Sequence, residues 1–568
     1  EAGVPEAVDI ISEGFSDGTP SQKDDAFRAL LNVQGMAAAD RLLGIASGSE
    51  ARYAVDALGR YIELAAQSGA TAENKVLMLS GALDVLASNP AIGPEMAARL
   101  RAIVLGKVEQ NKTFQGLILA GRYLDDPDGA VRQAAAMAVQ NTALAHTEYY
   151  GPVVENLLKK ACDADQSADS GYHREAVNKH LASLPKNGGY VSMFNGKDLS
   201  GWKGLVEDPI ARAKMKPAEL AKKQVVADEA MRRDWKVDNG MLVYVGQGFD
   251  NICTEKLYRD FEMYVDWKLD AEGQEGDAGI YLRGTPQVQI WDTSRRNVGA
   301  EVGSGGLYNN TENPSKPTSG ADNKLGDWNT FYIKMVGDRV TVVLNGQKVV
   351  DNVMLENFWD RSQPIFPIEQ IELQAHGTKV YFRNLYINEL PQIEPTKLSA
   401  EEQKEGFRLL YDGTNMHGWI GNTRDYVSEN GAIALYPGNG GGGNLYTKEE
   451  FGDFVLRFEF QLTEGANNGI GIRTPLDDDA TYVGMEIQVL DNEAGVLHAL
   501  YRFQVNLGGK IGADLQPARE VPVSRIGLRR DRGQARFPEA GRRMEYRGDM
   551  DQGRRHPRDA QRYGHHRG

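Results

Sequence analysis

The 568-residue chain is 41% hydrophobic and 25% charged, ordinary proportions for a globular protein of roughly three or four domains. It has no run of 18 apolar residues, which excludes a membrane-spanning helix of the usual kind. The net charge of −15 is unevenly spread: from Ile511 onward there are 14 Arg, no Lys and 8 acidic residues, a local +6 that leaves −21 on the rest, and so acidic a body argues against nucleic acid as the main partner.

Residues 1–187 read as helices. Apolar residues recur at three- and four-residue spacing over Ala26–Leu43, Tyr53–Ala66, Lys75–Leu86, Pro94–Val108 and Val131–Leu144. The turn Asp125-Asp-Pro-Asp-Gly129 breaks the pattern and Ala130-Val-Arg-Gln-Ala restarts it. That start resembles a HEAT-type α-solenoid repeat, with Asp in the turn and Val-Arg opening the helix; an irregular bundle is the alternative. No catalytic constellation falls here, so scaffolding or a protein partner on one face is the expected role. Cys162 lies in this region and Cys253 in the next. Their placement in different domains argues against a disulfide, and neither sits in a metal or redox motif. The chain starts at Glu1, as a mature or trimmed product would.

At Gly188-Gly189 the period changes from 3.6 to 2. Strands are predicted at Gly240–Val245, Phe261–Leu269, Gly279–Arg283, Val288–Trp291, Thr330–Val336, Arg339–Leu344, Gln347–Val350, Ile371–Gln374 and Lys379–Ile387. Asn345-Gly346 suits a type I′ hairpin turn, and a Gly-Thr-Pro turn is expected between the runs at 279 and 288. Many strands joined by short turns imply a β-sandwich over 190–390. The charged stretch Asp208–Arg233 reads as a helical insertion. Residues 391–404, with two prolines, read as a linker.

A second copy follows at 405–503. Leu410-Tyr-Asp-Gly413 matches Met193-Phe-Asn-Gly196, Asp453-Phe matches Asp260-Phe, and Gly469-Ile-Gly-Ile-Arg473 with Glu486-Ile-Gln-Val-Leu-Asp491 matches Gly279-Ile-Tyr-Leu-Arg283 with Gln287-Val-Gln-Ile-Trp-Asp292. A unit this long is a duplicated domain rather than a solenoid repeat. Residues 504–568 lack counterparts of Trp328-Asn329, the Asn-Gly hairpin and Ile371-Glu-Leu-Gln-Ala-His-Gly377. This Arg-rich tail, without Lys from Ile511 onward, reads as out-of-frame translation or as a basic disordered tail. The chain is thus expected to be an α-solenoid followed by two β-sandwiches, the second incomplete.

Several motifs in order carry a resemblance: Phe194-Asn-Gly-Lys-Asp-Leu-Ser-Gly-Trp202, Asp277-Ala-Gly-Ile-Tyr-Leu-Arg-Gly284, Val288-Gln-Ile-Trp-Asp292, Gly326-Asp-Trp-Asn329, Ile371–Gly377 and Val380-Tyr-Phe-Arg-Asn384. Together they resemble the 3-keto-disaccharide hydrolase family, whose domains are concanavalin A/laminin-G-like jelly rolls, often secreted by bacteria. The resemblance implies a periplasmic or outer-surface protein and an oxidised disaccharide or glycoside as ligand. It also implies proton removal at C2 of a 3-keto sugar, elimination of the C1 oxygen, and hydration. The family commonly places Glu two residues before the Gln of the second run; here that position is Gln287 in the first copy and Glu486 in the second.

His376, at a strand end with an ordinary pKa near ~6.5, is the candidate base. Arg283, read as a mid-strand cation, and Asp292 are the other catalytic candidates, with Asp292 or Asp277 as the partner of Arg283. Gln289, Gln374, Tyr281, Trp291 and Asp277 are candidate substrate contacts, as are Arg473, Glu486, Gln488 and Asp491 in the second copy. All four of Arg283, Gln289, Asp292 and His376 are expected to share one hollow. Trp202 and Trp328 are expected in the core. A divalent cation such as Ca²⁺ is an open expectation, since Asp477-Asp-Asp479 reads as a solvated loop and Gly440–Gly443 lacks the Lys of a phosphate loop. A non-catalytic carbohydrate-binding module or an assembly protein is the alternative function.

Overall fold

The structure, a computed structural model, describes residues 5–245, 248, 250–273, 275–439, 441–463, 465–476 and 483–491, with the backbone of 500–506 and 512–517. The chain divides into two compact units, Glu1–Glu449 and Glu450–Gly568. Among the described residues no helix is long and apolar enough to cross a membrane.

Helices open the first unit: α1 (Pro5–Asp17), α2 (Pro20–Asn32), α3 (Ala39–Ser47), α4 (Ala51–Gln67), α5 (Ala72–Ser88), α6 (Pro94–Glu109), α7 (Phe114–Gly121), α8 (Gly129–Leu144), α9 (Pro152–Ala164) and α10 (Ser170–Ser183). Their starts follow capping chemistry. Thr71 and Thr113 accept from backbone N–H groups one turn on, and the Asp128 carboxylate accepts from Ala130 and Val131 N–H. The expected single helix over Ala26–Leu43 is two, because the chain turns at Gly35, whose φ is 69°. Neighbours pack on one another, α1 on α2, α3 on α4 and α6 on α8, around two apolar clusters.

The strands that follow are β1 (Val191–Ser192), β2 (Trp202–Gly204), β3 (Trp235–Asp238), β4 (Met241–Tyr244), β5 (Ile252–Thr254), β6 (Phe261–Leu269), β7 (Asp277–Leu282), β8 (Thr285–Trp291), β9 (Asn329–Val336), β10 (Arg339–Leu344), β11 (Gln347–Met354), β12 (Glu372–Gln374) and β13 (Val380–Glu389). One antiparallel sheet runs β11-β10-β9-β6-β13-β4-β3, with β1 also on β13; the facing sheet runs β2-β5-β12-β7-β8. Phe261, Met263, Val265 and Trp267 of the first sheet and Ile280, Leu282, Val288, Ile290 and Leu373 of the second fill one core. The turn after β10 has φ of 51° at Asn345 and 80° at Gly346, as a type I′ turn requires. The insertion forms α11 (Pro209–Lys214) and α12 (Pro217–Asp234). Trp202 is in the core, whereas Trp328 is half-buried outside it, with the Arg383 guanidinium 3.9 Å above its ring.

The helical region covers the outer face of the larger sheet. Phe114 at the start of α7 stacks on Tyr264 of β6, centroids 4.6 Å apart and planes 10° apart, with Tyr190 and Tyr386 around it. Arg383 of β13 donates to Ser80 of α5 at 3.4 Å and also contacts Asp266. One face of the sandwich is therefore closed by the N-terminal helices, and α12 packs against β2 at the edge of the five-stranded sheet, where Gln224 donates to Gly204 O at 2.8 Å.

The segment expected as a plain linker carries a short helix, α13 (Ala400–Lys404), with a Ser399/Glu402 capping box. Two hairpin-like pairs follow: β14 (Trp419–Gly421) with β17 (Leu445–Thr447), and β15 (Tyr426–Glu429) with β16 (Ala432–Leu435). The second unit holds β18 (Val455–Gln461), β19 (Asn467–Ile472), β20 (Met485–Leu490), β21 (Leu500–Asn506) and β22 (Gly512–Pro517). They form the sheets β18-β21-β22 and β19-β20. Asp477-Asp-Asp479, Gly440 and the tail from 518 lie outside the described residues.

Candidate functional site

Strict alternation builds the outer face of this sheet, whose side chains are mostly buried. Ala278, Ile280 and Leu282 of β7 enter the core, so Asp277, Gly279 and Tyr281 point the other way. On β8, Val288 and Ile290 go in and Gln287, Gln289 and Trp291 come out. On β12, Leu373 goes in, and Glu372 and Gln374 come out with His376 just beyond.

Register then groups these side chains. Gln374, Gly279 and Gln289 lie across from one another, Glu372 lies across from Tyr281, and Asp277 lies across from Trp291. Gly279 is the floor. A Cβ there would sit 3.0 Å from Gln374 Oε1 and 3.1 Å from the Gln287 side chain, so a residue without a side chain lets those amides fold over the sheet.

Hydrogen bonds order the face. Gln287 Nε2 donates to Gln289 Oε1. Gln289 Nε2 donates to Asp277 Oδ1 at 2.7 Å. The other carboxylate oxygen of Asp277 faces His376 Nδ1 at 3.7 Å and Arg295 Nη1 at 3.6 Å. Burial raises the Asp277 pKa, and Gln289, His376 and Arg295 oppose that rise. The His376 side chain is 42% exposed against 12% for Asp277, so the imidazole stands at the rim with the carboxylate behind it.

Asn251 and Glu372 complete the face. Glu372 is fully buried and its pKa is pushed up to about 8, burial outweighing the nearby Arg212. It is a neutral acid at pH 7, with Oε2 unpartnered. Its neighbour Cys253 has a thiol pKa pushed up to about 12 by burial, which makes it inert. Gln374 Oε1 is a second buried acceptor without a partner.

Arg283 is not part of this cluster. It is a turn residue, not a mid-strand one: Leu282 pairs with Thr285, and Arg283 (φ 48°) and Gly284 (φ 66°) make the turn expected of Gly-Thr-Pro. A register shift between Ile280 and Leu282 displaces the strand end. The guanidinium is buried, donates to Pro367 O at 3.1 Å and lies 4.0 Å from Asp260. Six residues of strand separate it from Asp277, roughly 20 Å at 3.3 Å per residue. The expected common hollow with His376 therefore does not form around Arg283.

Asp292 is likewise turned to structure. Its Oδ1 accepts from Ser294 N–H at 3.0 Å and from Ser294 Oγ–H at 2.7 Å, and neither it nor Asp277 pairs with Arg283. Trp291 is 7% exposed, edge-on to Tyr308 at 5.4 Å, and packs under Arg295. Tyr281 is half-buried beside Asn251 and offers its hydroxyl to the face.

The second copy repeats the hairpin. Gly469 lies across from Gln488 and Gly471 from Glu486, and Gln488 Nε2 donates to Asn467 Oδ1. Arg473 again has a positive φ of 55° and again contacts the Asp of the Asp-Phe motif, Asp453, at 3.4 Å. Glu486, Gln488 and Arg473 are exposed. Asp491 Oδ2 accepts from Gly465 N–H at 2.8 Å. The Arg-to-Asp contact thus recurs as a structural clasp.

Residues 189–388 and 406–527 match the 3-keto-alpha-glucoside-1,2-lyase-like domain, over half of the chain. The chain belongs to that family. The second match runs past the boundary of 503 expected for the second copy. A 3-keto-disaccharide hydrolase of Bacteroides thetaiotaomicron is 29% identical over 290 residues, which cover 40% of this chain and 93% of the relative. Among solved structures, a Parabacteroides distasonis protein described as a glycosyl hydrolase is 23% identical, with 36% of this chain and 94% of that one covered and a TM-score of 0.27. The carbohydrate-binding module CBM66 of Bacillus subtilis is 12% identical, with 34% and 97% covered and a TM-score of 0.20.

Within this lyase-like domain the residues missed by sequence reasoning are Glu372, Arg295 and Asn251. Glu372 was findable, since it alternates with Gln374 and His376 in Ile371–Gly377. Arg295 and Asn251 sit in loops with no periodic signal. Among the described residues no group of three or more His, Cys, Asp or Glu side chains is placed to hold a metal ion. Asp277 and His376 offer two ligands of different elements, short of the oxygen-rich shell that Ca²⁺ takes.

Proposed function

We propose that the face around Gly279 binds a 3-keto-glycoside and that His376 removes its C2 proton. The observation that carries this reading is the rim imidazole backed by the buried carboxylate of Asp277. The imidazole takes the proton, and the carboxylate that faces its Nδ1 steadies the imidazolium that results. The C2–H electrons form an enolate, which collapses to expel the C1 oxygen as an alcohol. Water then adds across the C1–C2 double bond to give the free keto sugar. Tyr281 and Gln374, beside the glycine floor, are the donors for the developing enolate oxygen, and removing one such donor costs about 10²–10³ in rate.

Release of nitrophenolate from p-nitrophenyl 3-keto-α-glucoside tests the reading. Turnover that falls about 10²–10⁴-fold in His376→Ala supports it. Turnover unchanged in that variant overturns it. A second reading, a carbohydrate-binding module, is favoured by Gln287, an amide where the second copy has the carboxylate of Glu486. Saturable binding of the keto-glucoside with no nitrophenolate released selects that one.

A further inference from the structure

The two copies of the hairpin carry the same polar ladder with the charge on different rungs. In the first copy the rungs are Asp277, Gln289 and Gln287, joined by side-chain hydrogen bonds. Register places Asn467, Gln488 and Glu486 at the same rungs of the second. The middle rung is glutamine in both, and in both its amide donates to the side-chain oxygen of the first rung. The third rung leans over the glycine in both: a Cβ on Gly279 would meet Gln287, and one on Gly469 would meet Glu486. Carboxylate and amide have simply changed places between the first and third rungs. Each ladder holds one carboxylate.

We infer that this ladder is built for one carboxylate, that its rung is exchangeable, and that Asp277 carries in the first repeat the charge that Glu486 carries in the second. Two charges on the first ladder, whose three rungs are buried, repel, because amide bridges cannot neutralise them and one carboxyl must then take up a proton. With none, the rim histidine has no anion behind it. Asp277 is on this account a positioning residue acting through His376, with Arg295 as the other charge on it and Glu372 and Tyr281 as the remaining titratable groups of the face. The catalytic half of the inference rests on the function proposed above; the one-charge rule does not.

The test is a double-mutant cycle in the full chain with Asp277→Asn, Gln287→Glu and both together. Melting comes first and needs no substrate. Gln287→Glu alone lowers the melting temperature by roughly 3 °C or more, and adding Asp277→Asn restores it to near the wild-type value. Turnover of p-nitrophenyl 3-keto-α-glucoside comes second. Asp277→Asn lowers kcat by about 10²-fold and leaves KM near the wild-type value, since His376 loses the group that positions it. Gln287→Glu on that background recovers at least ~10-fold in kcat, again with KM unchanged. Additive melting shifts, or a double variant no more active than Asp277→Asn, overturn the inference. A wild-type protein that releases no nitrophenolate removes the catalytic reading and leaves the melting cycle to decide the ladder.

Discussion

Arg283 and Glu372 are both buried and ionisable, and they do opposite things. Arg283 occupies a left-handed turn that favours glycine or asparagine and is kept there by Asp260 and the Pro367 carbonyl. Removing one partner of a buried ion pair costs about 3–5 kcal/mol. Arg283→Ala should therefore lower the melting temperature markedly while the protein that remains folded keeps its KM; a raised KM with unchanged melting would instead return Arg283 to the ligand site. Glu372 has a pKa pushed up to about 8 by burial, so the folded chain holds a proton that the unfolded chain releases above its ordinary carboxylate pKa. Folded protein thus binds more protons between those two values, and stability falls as pH rises through that window, by at most ~1.4 kcal/mol per pH unit from this group. Denaturant titrations at pH 5 and pH 8 should show the decline, and Glu372→Gln should flatten it. An equal decline in both proteins would mean that Glu372 ionises normally.

At the scale of elements, β7 is organised by what it lacks. Gly279 has no side chain, and the amides of Gln374 and Gln287 fill the space above it. Gly279→Val should keep the fold, since its neighbours Ala278 and Ile280 still bury, yet weaken binding of the keto-glucoside by at least about 10-fold in calorimetry. Unchanged affinity would place the ligand elsewhere. The alternation that makes this face was legible in the sequence: the limits of β6 and β10 were read directly, and the Asn345-Gly346 turn follows from its residues alone. The end of β7 was not, because the register shift before Leu282 and the Arg-Gly turn leave no trace in a period-2 pattern. That miss moved Arg283 into the site on paper. Asp292 was misplaced for a similar reason: a carboxylate at a strand end is compatible with chemistry and with a Ser294 turn, and only coordinates separate the two. The helices α1, α7, α9 and α10 lie outside the periodic segments read from the sequence, within the stretch read only as helical overall.

Across the molecule, the sandwich has given one face to the helices and kept the other for its polar ladder. Phe114 is the centre of the closed face, stacked on Tyr264 and within ring contact of Tyr149, Tyr190 and Tyr386. Phe114→Ala should cost about 3–5 kcal/mol and lower the melting temperature of helices and sandwich together. Separate transitions, with the β signal unmoved, would show that the two fold independently. The same interface reaches the β10–β11 corner, where Thr71 Oγ1 donates to Asn345 O at 2.5 Å. Asn345 is 1% exposed, its amide nitrogen donates to Ala321 O and Asn329 Oδ1, and its Oδ1 accepts from Thr330 N–H. Asparagine before glycine deamidates when its side chain swings onto the next backbone nitrogen, and these three bonds forbid that swing. Stored protein should gain its one-dalton increments at exposed pairs such as Asn187-Gly188, Asn239-Gly240 and Asn430-Gly431 long before position 345, so the sandwich's own hydrogen bonds protect this corner from chemical ageing.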